Sequence, residues 1–318
     1  MRTALNADQV EVEAIRLGVA PVIVGVEDEQ IAGELDDEIL APDTDNWAER
    51  EAAVELAAGE TLVELQRRVD LLGDAYPFVI NAGALRYRGS VTGVYEFCLA
   101  ASVAPRINQR PNNALPLYFE LLATEVARLY IGVSARAIRT GWPSHDEEQR
   151  PTRFKAMSAI VNQHSGEWVW APVFPNPDDP DHIKVKDEGV DFVVWQPMLD
   201  NRPGKLFLLG QCACGNDWDQ KLNDIKKADL NQWLNPITSA AYLTSFFVPR
   251  HLYGAYVFGY CNERAGITFD RARIAMLAES ESHRAAFEAA SQGWELREKT
   301  QLVIPEYRVL RPAAVEAD

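Results

Sequence analysis

The chain has 318 residues, 47% of them hydrophobic and 25% charged, with four cysteines and a formal net charge of −16. That is enough apolar material for a sizeable core in one large domain or two modest ones, too few cysteines for a disulfide scaffold, and it includes no apolar run of the roughly 18 residues that a membrane span needs. The stretch Met1 to Val10 lacks a basic and then apolar leader pattern, so a cytoplasmic location without membrane association is expected.

The charge is unevenly placed. Residues 1–60 carry sixteen acids against three bases, so −13 of the −16 sits there and only about −3 is spread over the rest. Nucleic-acid binders present a basic face. The near-neutral body can hold one, whereas the acidic segment cannot lie along a phosphate backbone. That segment reads either as a solvated acidic helical surface or as a shield over a groove and a dock for a basic partner.

In chain order, Leu56, Leu62, Leu65, Val69 and Leu72 recur at helical spacing between Asn46 and Gly73, and Gly59 is expected to split the stretch into two helices. Val91 to Val103 reads as a short apolar helix, Gln109 to Ala114 as a loop, and Leu115 to Tyr130 as an amphipathic helix carrying Leu117, Leu121, Leu122, Val126 and Leu129 on one side. Phe154 to Gln163 is a further helix and Trp168 to Ala171 a short strand. Four prolines between Pro172 and Pro180 exclude helix and central strand there. Two near-continuous apolar runs, about 190–196 and 205–213, flank the turn sequence Asp200-Asn201-Arg202-Pro203-Gly204 and predict a hairpin buried on both faces. Asn216-Asp217 should cap a helix from Trp218 to about Leu234. Ala241 to Val248, Ala255 to Tyr260 and Ile267 to Phe269 read as strands, the last leading into a helix from Asp270 to about Glu281. This order implies an α/β fold with a mixed sheet. A soft boundary near 105–114 separates a mostly helical N-terminal region, 1–110, from an α/β domain, 111–318.

The hairpin carries the chemistry. Asp191 opens its first strand and Gln211 ends its second, so an antiparallel ladder can bring a carboxylate and an amide oxygen to one sheet end. Hard divalent cations take such oxygen ligands, and a bound divalent ion serves phosphodiester hydrolysis. The segment resembles the PD-(D/E)xK, or restriction-endonuclease-like, superfamily in its Mrr-like variant, in which glutamine replaces the second acid. The match covers about residues 115–235. Glu120, in Leu117-Tyr118-Phe119-Glu120, stands where the superfamily has a helical acid, Asp191 where it has the strand aspartate, and Gln211 at the Glu/Gln position. The resemblance implies a restriction-endonuclease-like mixed sheet flanked by helices, with Mg2+ or Mn2+ held by Glu120, Asp191 and Gln211, and with DNA as the substrate. It also implies a homodimer or a partner ATPase or helicase in a bacterial phage-defence complex. The departure is Ala213, which stands where the family places lysine; Lys221 is the nearest substitute, and Lys205 begins the second strand at the wrong end. The missing lysine motivates a rival reading, a catalytically degenerate module that binds nucleic acid or scaffolds such a complex.

Residues outside this constellation have two readings each. Glu167 is a second candidate ligand or a loop acid. Cys212 and Cys214, with Cys261 and His251, lack ordinary zinc spacing and read better as small core residues. Arg271 and Arg273 open a helix, where cations oppose the dipole, so they meet either a phosphate or an acidic partner. Lys226 and Lys227 read as a solvated face, and Trp168, Trp170, Trp195, Trp218 and Trp233 mostly as packing around the hairpin.

Overall fold

The computed structural model describes residues 2–22, 47–140, 154–173, 188–200, 202–235 and 237–308. The core of the acidic segment, 23–46, most of the proline-rich loop, Lys186-Asp187 ahead of the hairpin, Asn201 in its turn, and His145 and His182 lie outside the described residues.

The chain opens with helix α1 (Arg2–Leu17), strand β1 (Val19–Pro21), helix α2 (Trp47–Leu72), strands β2 (Phe78–Asn81) and β3 (Ala84–Tyr87), and helix α3 (Val94–Val103). Two expectations change here. Helix α2 runs unbroken through Gly59, where nothing packs within 4 Å of a would-be side chain. A lone glycine costs a helix only about 1 kcal/mol, too little to interrupt 26 residues. The region also holds a three-stranded antiparallel sheet, β1-β3-β2, that hydrophobic spacing does not reveal.

Helix α3 is buried on every side. Val94, Phe97 and Cys98 enter one core, and Tyr95, Leu99 and Ala100 enter another. A helix apolar all round belongs inside a protein. Its one acid, Glu96, is held by the Tyr87 hydroxyl (2.9 Å), the Ser90 amide (2.9 Å) and the Ser90 hydroxyl (2.6 Å).

Then come helix α4 (Leu115–Ile131), strand β4 (Arg136–Arg139), helix α5 (Phe154–Ser165), strands β5 (Phe192–Trp195) and β6 (Phe207–Cys212), a 3₁₀ turn (Trp218–Lys221), and helix α6 (Lys227–Trp233). Strand β7 (Leu243–Phe247), helix α7 (Ala255–Ala265), strand β8 (Ile267–Phe269) and helices α8 (Arg271–Glu279), α9 (Arg284–Ala290) and α10 (Leu296–Gln301) complete it. The second sheet has the order β4-β5-β6-β7-β8, antiparallel from β4 to β6 and parallel from β6 to β8. It is a mixed five-stranded sheet flanked by helices. Phe192, Val194 and Leu208 face α4, which contributes Phe119, Leu122 and Val126. Val193, Trp195, Phe207 and Leu209 face α5 and α6 through Val161, Leu230 and Trp233.

Ala255 to Tyr260 is helix, not strand: its aromatic and β-branched residues Tyr256, Val257 and Tyr260 are exposed, so packing never tests their strand preference. The expected helix from Trp218 to Leu234 is a 3₁₀ turn and a separate short helix, and the Asp217 side chain makes no capping bond. Trp168 to Ala171 forms a single bridge, Trp170 to Leu234, rather than a strand.

Sheet register rests on Gly210. Phe192 pairs with it directly, and a side chain built at Gly210 would lie 1.9 Å from the Phe192 ring. The ring fills the space that every other residue would occupy.

The two halves of the chain are joined by a buried ion network. Arg271, from α8, reaches Asp8 Oδ1 (2.9 Å) and Oδ2 (2.8 Å) and Glu11 Oε2 (3.2 Å) on α1. Arg68, from α2, reaches the same Asp8 and Glu11 at 2.7 Å each, and Glu64 at 2.9 Å. The hydroxyls of Tyr76 (2.6 Å) and Tyr95 (2.8 Å) donate to Glu11. Arg271 therefore meets an acidic partner, but a buried one far away in sequence. Burial alone would raise the Asp8 carboxyl; the charges of Arg271 and Arg68 outweigh it and hold the group below the usual carboxylate range. Because Asp8 titrates lower in the folded chain than in the unfolded one, its stabilisation is complete above the ordinary carboxylate range and is lost as pH falls through its depressed value.

Two substitutions test these constraints by urea unfolding. Gly210→Ala should destabilise the fold by about 1–3 kcal/mol through overpacking. Arg271→Met should cost about 3–5 kcal/mol, because Asp8 and Glu11 would keep buried charge with one cation fewer. A loss below about 1 kcal/mol in either would contradict the corresponding packing.

Candidate functional site

The antiparallel and parallel pairings bring the end of β4, the start of β5 and the ends of β6, β7 and β8 to one edge of the sheet. In open α/β sheets the carboxyl ends of parallel strands are where ligands bind. Asp191 stands at this edge. Its backbone N–H donates to Gly210 (2.8 Å), its carbonyl accepts from Thr140 N–H (2.8 Å), and its Oδ2 accepts from Cys212 N–H (2.7 Å). The side chain thus replaces a missing backbone partner and ties β5 to the end of β6. The β5–β6 ladder ends at the Phe192–Gly210 pair, one residue short of Asp191 and Gln211, and Asp191 binds Gly210 and Cys212 on either side of Gln211. The hairpin brings these two candidates together.

Gln211 is 5% exposed, and its Nε2 donates to Asp224 Oδ2 at 2.6 Å. The amide nitrogen is thereby assigned, and the amide oxygen points elsewhere. Asp224 is held close by Gly189: a side chain built at Gly189 would come within 2.9 Å of the Asp224 backbone, and Gly189 has φ +77°, which favours glycine. Nothing in the sequence marks Asp224, because a polar loop offers no periodic signal.

Glu120 reaches the same edge from the α4 side, whereas Gln211 alternates with Leu209 and so belongs to the opposite face. Glu120 pairs with Arg139, whose side chain is 5% exposed. Burial pulls the Arg139 pKa down, and the charges of Glu120, Cys212 and Asp191 push it up, leaving it below its ordinary value. Arg139 is a cation at the candidate site that sequence spacing does not find; its strand, Arg136–Arg139, carries an arginine at each end, and only the second is buried.

Burial pushes the Cys212 thiol well up, and the charges of Asp191 and Glu120 add to it. Burial does the same to Cys214, where Glu120 and Asp191 raise it and Lys221 lowers it. Glu120, Asp191 and Lys221 therefore all act on one pair of thiols. The four cysteines are free and buried, and Cys212 and Cys214 pack in the α4 core. Among the described residues, no group of three or more His, Cys, Asp or Glu side chains is placed to hold a metal ion. At the end of β6 the oxygen-bearing side chains are Asp191 and Gln211, while Glu120 lies on the α4 face and pairs with Arg139. Oxygen ligands are the set that Mg2+ and Mn2+ accept.

Glu167 lies elsewhere. It is fully buried, accepting from Ser239 N–H (2.6 Å) and Lys205 N–H (3.3 Å), while Lys205 Nζ donates to the carbonyls of Ser165 (2.5 Å) and Arg202 (2.6 Å). Both residues serve the far end of the hairpin, as expected for Lys205. Lys226 and Lys227 are exposed. Trp168, Trp195 and Trp233 belong to the core behind the hairpin, and Trp218 packs on Phe246. Arg273 donates through its Nη1 to the Thr268 carbonyl (2.8 Å), and its backbone N–H is capped by Asp270 (3.1 Å).

No family model matches the chain, and no curated protein matches it. Among solved structures, it is similar to the MspJI restriction endonuclease, determined in complex with a 27-mer oligonucleotide, at 13% identity and a TM-score of 0.30. The likeness covers 70% of this chain and 39% of that one, so the chain spans about two fifths of that protein's length. At that score the reading of the site rests on its geometry. Among the described residues no helix is long and apolar enough to cross a membrane.

Removing Glu120 would take an acidic partner from the buried Arg139 guanidinium. Glu120→Ala should cost about 3–5 kcal/mol in urea unfolding, and adding Arg139→Met should recover most of that loss. Additive losses would show that the pair is not coupled.

Proposed function

We propose that the chain is a metal-dependent nuclease with a restriction-endonuclease-like core, acting on DNA phosphodiester bonds. The observation that carries this reading is the position of Asp191 at the end of β6, bonded to Gly210 and Cys212 on either side of Gln211, at the sheet edge where the parallel strands end. Asp191 and the Gln211 amide oxygen would hold Mg2+ or Mn2+, and Glu120, on the α4 face, would add a third arm only by turning from Arg139. Such an ion supplies charge neutralisation at phosphate and a more acidic bound water. Asp224 fixes the Gln211 amide so that its oxygen is the free end. Lys221, whose charge acts on Cys214 beside Asp191, would orient the attacking water in place of the lysine that Ala213 lacks. Arg139 adds a second cation to offset the three acidic groups at this edge. DNA as substrate, a homodimer or a partner ATPase or helicase, and a setting in phage defence rest on the motif resemblance.

A second reading has its own support. Glu120 is bound by Arg139, and no lysine stands on β6. A degenerate nuclease fold that binds nucleic acid without cutting it would have the same features.

Plasmid cleavage with magnesium or manganese separates the two. Asp191→Asn is the informative variant, because the amide oxygen can still accept the Cys212 N–H and keep the strands tied. Wild type should nick or linearise supercoiled plasmid, and Asp191→Asn should be slower by at least about 100-fold, the upper range seen for outer partners of metal sites. Equal cleavage by both would remove Asp191 from the site. Binding of plasmid without cleavage by either would favour the second reading.

A further inference from the structure

Beyond the carboxyl ends of β6 and β7, a cavity of about 80 Å³ lies between α1, the Trp218 turn and the segment after β7. Asp8, Trp218, Arg250, His251, Leu252 and Val257 are among the residues that line it. None of Glu120, Asp191 or Gln211 does, so the cavity is separate from the proposed cleavage site.

Two N–H groups at this cavity have no hydrogen-bond partner among the described residues: Arg250 Nε and His251 Nε2. The His251 side chain is 1% exposed. Its protonation is set by its neighbours. Arg67 Nη2 lies 3.4 Å from His251 Nδ1, and a guanidinium only donates. Asp270 Oδ2, at 3.7 Å from the same nitrogen, is too far to accept a hydrogen bond from it. Nδ1 is therefore the acceptor, and a neutral ring carries its proton on Nε2. Burial holds the imidazole well below its ordinary pKa, and the charges of Arg68, Arg271 and Arg67 hold it lower still, so the ring is neutral. In that tautomer Nε2 has no hydrogen-bond partner among the described residues, and the ring's hydrogen bond to the Leu252 backbone only raises its pKa. Arg250 uses Nη2 on Asn216 Oδ1 (2.6 Å) and leaves Nε–H unpaired.

The carboxylate in the wall cannot serve them. Asp8 is engaged on both oxygens by Arg68 and Arg271. A water molecule accepting from both N–H groups would have the minimum of two polar partners, but Leu252 and Val257 offer it no more and it brings no charge to meet the guanidinium. What the cavity lacks is an acceptor with several oxygens, negative charge to meet the guanidinium, and a size near that of a few water molecules. Arginine beside a second N–H donor is the usual recognition of phosphate.

We propose that this cavity is a phosphate-binding site in which Arg250 and His251 donate to one phosphate group. Either free phosphate or the terminal phosphate of a nucleic acid presents that chemistry.

Calorimetric titration of the full chain with inorganic phosphate, in a phosphate-free buffer, tests the assignment. Wild type should bind one phosphate saturably, with acetate at least tenfold weaker. Arg250→Gln and His251→Leu should each weaken phosphate binding at least tenfold while leaving the circular dichroism unchanged. A 5′-phosphorylated dinucleotide that binds more tightly than inorganic phosphate, with its unphosphorylated form not binding, would identify a nucleic-acid end as the ligand. Equal binding of dinucleotide phosphate and inorganic phosphate would identify the free anion. No saturable phosphate binding by wild type, equal binding of acetate, or unchanged binding in both variants overturns the proposal. The wild-type titration decides this even where a variant fails to fold.

Discussion

Everything at the candidate site depends on the pairing of β5 with β6, and that pairing depends on one contact. The Phe192 ring occupies the place where residue 210 would have a side chain, so only glycine permits the register. A slip of one residue in a strand turns every side chain to the other face. Here it would send Phe192 and Val194 away from α4, and Val193 and Trp195 away from α5 and α6. The register in turn sets Asp191 against the end of β6, where its carboxylate takes the Cys212 N–H. The same group is thus both a structural tie and the best candidate ligand. That double role is why substitution by asparagine is more telling than truncation.

A second constraint holds the two regions of the chain together. Asp8, Glu11, Arg68 and Arg271 come from α1, α2 and α8 and are all nearly or fully buried. Burying this many charges is costly unless each is paired and hydrogen-bonded, and the tyrosine hydroxyls complete the network on Glu11. The acidity of the first sixty residues is therefore not wholly a surface property. Two of its acids are interior groups that fix α1 against the C-terminal helices. The same network lies behind His251 and keeps that ring neutral beside the small cavity.

The elements with strong periodicity are legible in the sequence: the buried hairpin, helices α4 and α5, strands β7 and β8, and the helix after Asp270. So is the approach of Asp191 to the end of β6, since a hairpin brings the start of one strand beside the end of the other. Other features are not. Tyr256, Val257 and Tyr260 carry strand preference but sit exposed on a helix, where neighbours rather than propensity decide. Arg139, Asp224 and the partners of Arg271 are long-range contacts, and no local pattern encodes which acid a buried arginine will meet. Glu120 lies at the expected edge but on the α4 face, with Arg139 as its partner, because the helix packs on the side of the sheet away from Gln211.

At the centre of the proposed chemistry, Asp191 and Gln211 would form the oxygen cradle for a divalent cation at this sheet edge. Manganese titration followed by the free-ion electron paramagnetic resonance signal tests this without any assumption about substrate. The expected result is one manganese site per chain in wild type, weakened at least tenfold in Asp191→Asn and in Gln211→Leu. Manganese uptake that is absent from wild type, or identical in wild type and both variants, would contradict it.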